Sequence, residues 1–127
     1  MKVQYAMALS LVAGIAVGGL AVQGLNAQGS KTAYSISELK VISRDAERSY
    51  SALARSAIGS NQGKSLRTTG GRVEKIEGGE PPTTVAIVEW PSVEAAQKFY
   101  KSEAWTKLQP ERNKAYTVVR RYIVESE

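Results

Sequence analysis

The sequence has no cysteine and no histidine. Without thiols there can be no disulfide, no cysteine nucleophile and no thiolate metal ligand. Without imidazole the side chain best suited to proton transfer near neutral pH is missing, and the common zinc sites go with it. A thiol-free chain is indifferent to redox state, so it fits an oxidising compartment without requiring one. Any catalysis must draw on carboxylates, tyrosine, serine, threonine, lysine or arginine. No cofactor and no metal centre is expected, because tyrosine and carboxylates alone would have to supply the ligands. Acidic residues are the scarcer charge, 12 against 17 basic ones, which leaves a net +5. The basic residues are interleaved with glutamate and no RNP, zinc-finger or helix-turn-helix pattern accompanies them, so nucleic acid is not an expected partner.

What is present describes one small packed domain behind a leader. The chain has 127 residues, 43% hydrophobic and 23% charged, an ordinary globular balance. Met1-Lys2 is followed by an uncharged stretch, Tyr5 to Val22, rich in alanine, valine, leucine and glycine. Leu25-Asn26-Ala27 then offers a small residue at a cleavage position. Residues 1–27 therefore read as a signal peptide, and the product is expected to be exported, to the periplasm or beyond. The alternative is an uncleaved membrane anchor, although as a helix residues 5–22 span only about 27 Å. A membrane is an expected partner only in that case. Residues 28–32 are a polar linker and 33–127 a single domain.

Within the domain, Ala33 to Val41 alternates and predicts a strand, with Tyr34, Ile36, Glu38 and Lys40 on one side. Ser43 or Asp45 caps a helix whose stripe is Ala46, Tyr50, Leu53 and Ala57, ended by Gly59 to Gly63. Ser65 to Thr69 and Arg72 to Glu77 predict two pieces of a second strand, broken at Gly70-Gly71. The most apolar run, Thr84 to Trp90, is expected at the centre of the sheet. Ser92 caps a second helix with Val93, Ala96 and Phe99 or Tyr100 facing the core. A helical piece over Glu103 to Leu108 is stopped by Pro110, and Tyr116 to Val124 is the last strand. The order βαββαβ is α+β and ferredoxin-like: a four-stranded antiparallel sheet with two helices on one face. One sheet face stays bare, and its apolar content predicts a homodimer.

Four segments carry a resemblance. Ala33-Tyr34-Ser35-Ile36 with Glu38, Thr69-Gly70-Gly71-Arg72 with Glu77-Gly78, Val88-Glu89-Trp90-Pro91-Ser92 with Ala95-Ala96, and Tyr100-Lys101-Ser102 with Trp105 and Pro110 resemble the family called domain of unknown function 1330. The resemblance runs over roughly Ala33 to Glu125 and implies a dimeric α/β barrel, in which two ferredoxin-like sheets pack face to face. It implies no reaction. Relatives on that fold include cofactor-independent monooxygenases, muconolactone isomerase-like proteins and haem-dependent chlorite dismutase-like proteins. Two positions depart from the family pattern: Thr69 stands where members usually carry arginine, and Ser43-Arg44 where they often carry Asp-Pro.

The candidate catalytic residues are Glu38, Glu89 and Tyr34: two carboxylates within strand-like runs, which a sheet can bring together as an acid/base pair, and a neighbouring phenol. The competing account of both glutamates is a strand end or a salt bridge. Arg72 with the Gly70 and Gly71 backbone can hold a carboxylate or phosphate, and Tyr34, Trp90, Tyr100 and Trp105 can line a pocket for a planar apolar ligand. Core and interface packing explains the same aromatics. Arg120 and Arg121 fall on opposite faces of the last strand, with Glu38 or Glu89 as partners for one of them. The expectation is an exported homodimer that binds a small apolar or anionic molecule. The enzymatic alternative is cofactor-free oxygenation or isomerisation of a small aromatic or lactone-like substrate, and a third is an interaction domain tethered to a membrane by residues 5–22.

Overall fold

A computed structural model describes residues 31–127. The expected export segment, residues 1–27, lies outside the described residues, as does most of the linker. Among the described residues no helix is long and apolar enough to cross a membrane.

The first strand, β1 (Ala33–Val41), obeys its alternation: Ala33, Ser35, Ser37 and Leu39 are buried, while Tyr34, Ile36 and Glu38 are half-buried on the other face. Helix α1 (Arg44–Gly59) starts at Ser43, whose Oγ accepts from the Ala46 amide at 3.2 Å. Its buried stripe is Glu47, Tyr50, Ala54 and Ile58, and Leu53 is 48% exposed. The stripe is thus turned about one residue from the one that apolar counting predicts. Glu47 can sit in it because Arg44 holds its carboxylate at 2.8 Å.

The second strand is a correction to the sequence reading. Only Lys64–Ser65, β2, pairs with the next strand, β3 (Thr84–Trp90), and Arg72 to Glu77 belongs to no strand. Backbone pairing with β3 stops after Leu66, at Arg67, which has φ 59°. Helix α2 (Val93–Tyr100), capped by Ser92, leads into a short α3 (Glu103–Thr106). Pro110 does not end the helical region. It lies in the first turn of α4 (Gln109–Ala115), where its missing N–H costs nothing, before β4 (Tyr116–Glu125).

The sheet order is β2-β3-β1-β4, all neighbours antiparallel, so β3 is interior as expected and shares the centre with β1. This is the ferredoxin-like arrangement. The core fills the helix side, with Leu39, Val88 and Trp90 of the sheet against Tyr50, Ala54, Ile58, Ala96, Phe99 and Leu108. On the opposite face the register sets Ile87, Ile36 and Tyr122 side by side, and Glu89, Tyr34 and Val124 beside them. Tyr122 and Val124 are more than two-fifths exposed.

Candidate ligand cavity

A cavity of about 70 Å³ opens between the helix-facing side of the sheet and α1. Its walls are Leu39, Ala54, Ile58 and Val88, the rings of Tyr50, Tyr100, Trp105 and Tyr116, and the hydroxyls of Ser37 and Ser51. Arg121 reaches it from β4, and the exposed Arg55 and Arg67 line it too. No aspartate or glutamate is among the lining residues.

Arg121 is inward because β4 alternates and Arg121 stands opposite Ser37 in the β1–β4 register. Its Nε donates to Ser37 Oγ at 2.8 Å, and its guanidinium carbon lies 4.7 Å from the Trp105 ring centre. Arg112 of α4 is buried behind the same indole, 3.8 Å from the ring centre, and donates to Tyr50 OH and to the Trp105 carbonyl, each at 3.4 Å. Neither arginine has a carboxylate within ion-pair distance among the described residues. Burial pushes the Arg121 guanidinium below its ordinary pKa, the mark of a cation held without a counter-ion.

The aromatic wall is a continuous cluster of edge-on and tilted rings: Trp105 is 4.8 Å from Tyr100 and 5.6 Å from Phe99, which is 5.1 Å from Trp90. Ser35 ties the cluster to the sheet. Its Oγ accepts from Trp90 Nε1 at 2.9 Å and lies 2.7 Å from Tyr100 OH. Burial raises the Tyr100 phenol above its usual value of 10.0, against the opposing pull of the Ser35 hydrogen bond and the Arg121 charge, and burial likewise raises Tyr116. The folded chain therefore holds these two protons more tightly than the unfolded chain. Their contribution to stability is complete below the unfolded pKa and is lost as pH rises through the folded values. Thermal unfolding followed over an alkaline pH series is expected to show Tm falling above about pH 10, less steeply in Tyr100→Phe. Equal slopes in the two proteins would remove Tyr100 from the account.

The structure separates the sequence-derived candidates. Tyr100 and Trp105 line the cavity, and Trp90 stands behind them, 1% exposed. Glu38, Glu89 and Tyr34 are on the bare face of the sheet, away from the cavity. Arg120 holds Glu38 through two hydrogen bonds, Nε to Oε2 at 3.0 Å and Nη2 to Oε1 at 2.7 Å, which lower the Glu38 pKa. Tyr34 OH donates to Glu89 Oε1 at 3.4 Å. Gly70, Gly71 and Arg72 are in the exposed β2–β3 connection, where Arg72 pairs with Glu74 at 3.0 Å. The two carboxylates therefore occupy neighbouring strands of one face, but neither meets the other or the cavity. Sequence reasoning missed Arg112, Arg121, Tyr50, Tyr116 and Ser37 as site residues. The one usable signal was the opposite facing of Arg120 and Arg121.

In chemical terms the wall offers donors: the free N–H groups of Arg121, the Ser37 hydroxyl, and the Tyr50 hydroxyl, which already accepts from Arg112. It offers no carboxylate or imidazole to take a proton. These donors are the groups that hydrogen bonding to an oxygen-rich anion would call for.

Fold and cavity together define a ferredoxin-like α+β domain with a cation-lined pocket between its sheet and its first helix. The chain belongs to the family described as domain of unknown function (DUF1330), which matches residues 32–126. Among solved structures it is similar to the RPA0582 protein of unknown function from Rhodopseudomonas palustris, with 18% identity over 77% of this chain and 84% of that one and a TM-score of 0.56. It is similar also to SnoaB, a cofactor-independent oxygenase from Streptomyces nogalater, with 11% identity over 77% of this chain and 95% of that one and a TM-score of 0.57. At these identities the likeness is one of fold. No functionally curated protein matches the chain.

Proposed function

We propose that this protein is an exported homodimer that binds a small organic anion, a short-chain carboxylate, in the cavity beneath α1. The observation that carries the reading is Arg121: a largely buried guanidinium with no carboxylate partner, aimed at a cavity with an apolar and aromatic wall. A buried charge left unpaired costs several kcal/mol, and a bound anion offsets that cost. Size narrows the ligand. An apolar cavity of about 150 Å³ takes benzene, so a space of about 70 Å³ suits a short chain better than a ring. Export rests on the pattern of residues 1–27, and dimerisation on the apolar bare face of the sheet.

The oxygenase or isomerase alternative, of which only oxygenation is named for SnoaB among fold neighbours, needs a proton acceptor at the substrate. The lining residues include neither carboxylate nor histidine, which favours binding without turnover. Isothermal titration calorimetry with butyrate as probe tests the reading. Saturable binding is expected, weakened about tenfold to a hundredfold by Arg121→Gln, the usual worth of a hydrogen bond to a charged group. No heat of binding to the wild type, or an affinity indifferent to the substitution, would overturn it.

A further inference from the structure

The eight arginines of the described domain sort by location. Arg44, Arg48, Arg72 and Arg120 each have a carboxylate within 4.0 Å: Glu47, Asp45, Glu74 and Glu38 respectively. Arg55, Arg67, Arg112 and Arg121 have none among the described residues, and these are the four at the cavity or against its Trp105 wall. On α1 the contrast falls within one helix, since Arg44 and Arg48 are paired and Arg55, on the cavity lining, is not.

Arg67 adds a second, independent sign. Its φ of 59° lies in the left-handed region, which costs a non-glycine residue about 1 kcal/mol or more and persists where the surroundings impose it. They do so here: Thr68 Oγ1 donates to the Val85 carbonyl at 2.5 Å, and the Thr69 carbonyl accepts from Thr84 Oγ1 at 2.7 Å. The chain just after Arg67 is stapled to β3, so this arginine is kept beside the opening rather than left on a loose loop.

The cavity thus has an inner cationic station at Arg121, an apolar belt of Leu39, Ala54 and Ile58, and an outer, solvent-exposed station at Arg55 and Arg67. A monocarboxylate answers only the inner station. We infer that the ligand is a short α,ω-dicarboxylate, with one carboxylate on Arg121 and Ser37, its methylene chain along the belt and the other carboxylate between Arg55 and Arg67. This rests on the anion-binding reading above and narrows it to a dianion with an apolar spacer.

The test titrates the protein with succinate, glutarate, adipate and pimelate against the monocarboxylates of equal carbon number, by calorimetry at low salt. The best diacid is expected to bind about tenfold tighter than its monoacid. That ratio should collapse toward one in an Arg55→Gln, Arg67→Gly double variant, in which glycine suits the positive φ at position 67 and so spares the fold. It should also shrink at high salt, because the outer station is exposed and screened. A ratio near one in the wild type, or a ratio that survives the double variant, would overturn the inference. If the monoacids bind and Arg121→Gln weakens that binding as stated above while no diacid gains, the anion site stands and only the dicarboxylate assignment falls. If no acid binds at all, both fall.

Discussion

Replacing Trp90 by alanine is expected to lower the unfolding free energy by about 3–5 kcal/mol, the range for truncating a buried aromatic residue. Trp90 is 1% exposed and joins three parts of the domain that are distant in sequence. Its ring lies 5.1 Å from Phe99 and 6.0 Å from Tyr100 of α2, and its Nε1–H donates to Ser35 on β1. On a third side Gly63 presses against it: a Cβ placed there would stand 2.8 Å from the indole and 2.5 Å from Ile58. The truncation removes ring contacts, leaves a cavity between sheet and helix, and takes away one partner of a buried hydroxyl. Urea unfolding followed by far-UV circular dichroism reads the loss. Trp90→Phe, which keeps a ring but not the N–H, should fall between the two. A loss below about 1 kcal/mol for the alanine variant would mean that the ring is not the centre of the core.

The second large effect is expected on assembly. Ile36 stands in the middle of the bare sheet face, paired with Ile87 on one side and Tyr122 on the other. If this face joins two copies, Ile36→Lys puts an ammonium at the centre of an apolar interface, with no acid in its own row to meet it. The dissociation constant is expected to rise by about a hundredfold or more, the effect of disrupting a central interface residue. Sedimentation velocity should then show the monomer across concentrations at which the wild type is a dimer. The fold should survive, since the substitution points away from the helices. A wild type that sediments as a monomer, or a variant that remains as dimeric as the wild type, would show that the face is not the interface.

The helix caps were legible from the sequence because they are local. Ser43 and Ser92 bond to amides three residues on, and those contacts need only the chain's own neighbourhood. The strand over Thr84 to Trp90 was legible for a similar reason, since an apolar run of that length has few other places to go. The stripe of α1 was not, because a buried Glu47 supported by Arg44 is invisible to a count of apolar positions. Arg72 to Glu77 has the residues of a strand fragment but no strand beside it, and a segment's own residues cannot report a missing neighbour. Pro110 carries two meanings, helix end or first turn, and only the packing of α4 chooses between them.

The candidate cavity shows the same division. Aromatic residues at 100 and 105 announce themselves, whereas the meeting of Ser37 with Arg121 joins residues 84 positions apart through the β1–β4 register. By itself the sequence determined the order of strands and helices, the caps, and the absence of histidine and cysteine from any site. Tertiary structure alone decided which face of the sheet is covered, and so which of Arg120 and Arg121 pairs with a glutamate on the bare face and which stands unpaired at the cavity. The physical reason is that strand alternation divides residues between two faces without saying which face the helices will cover.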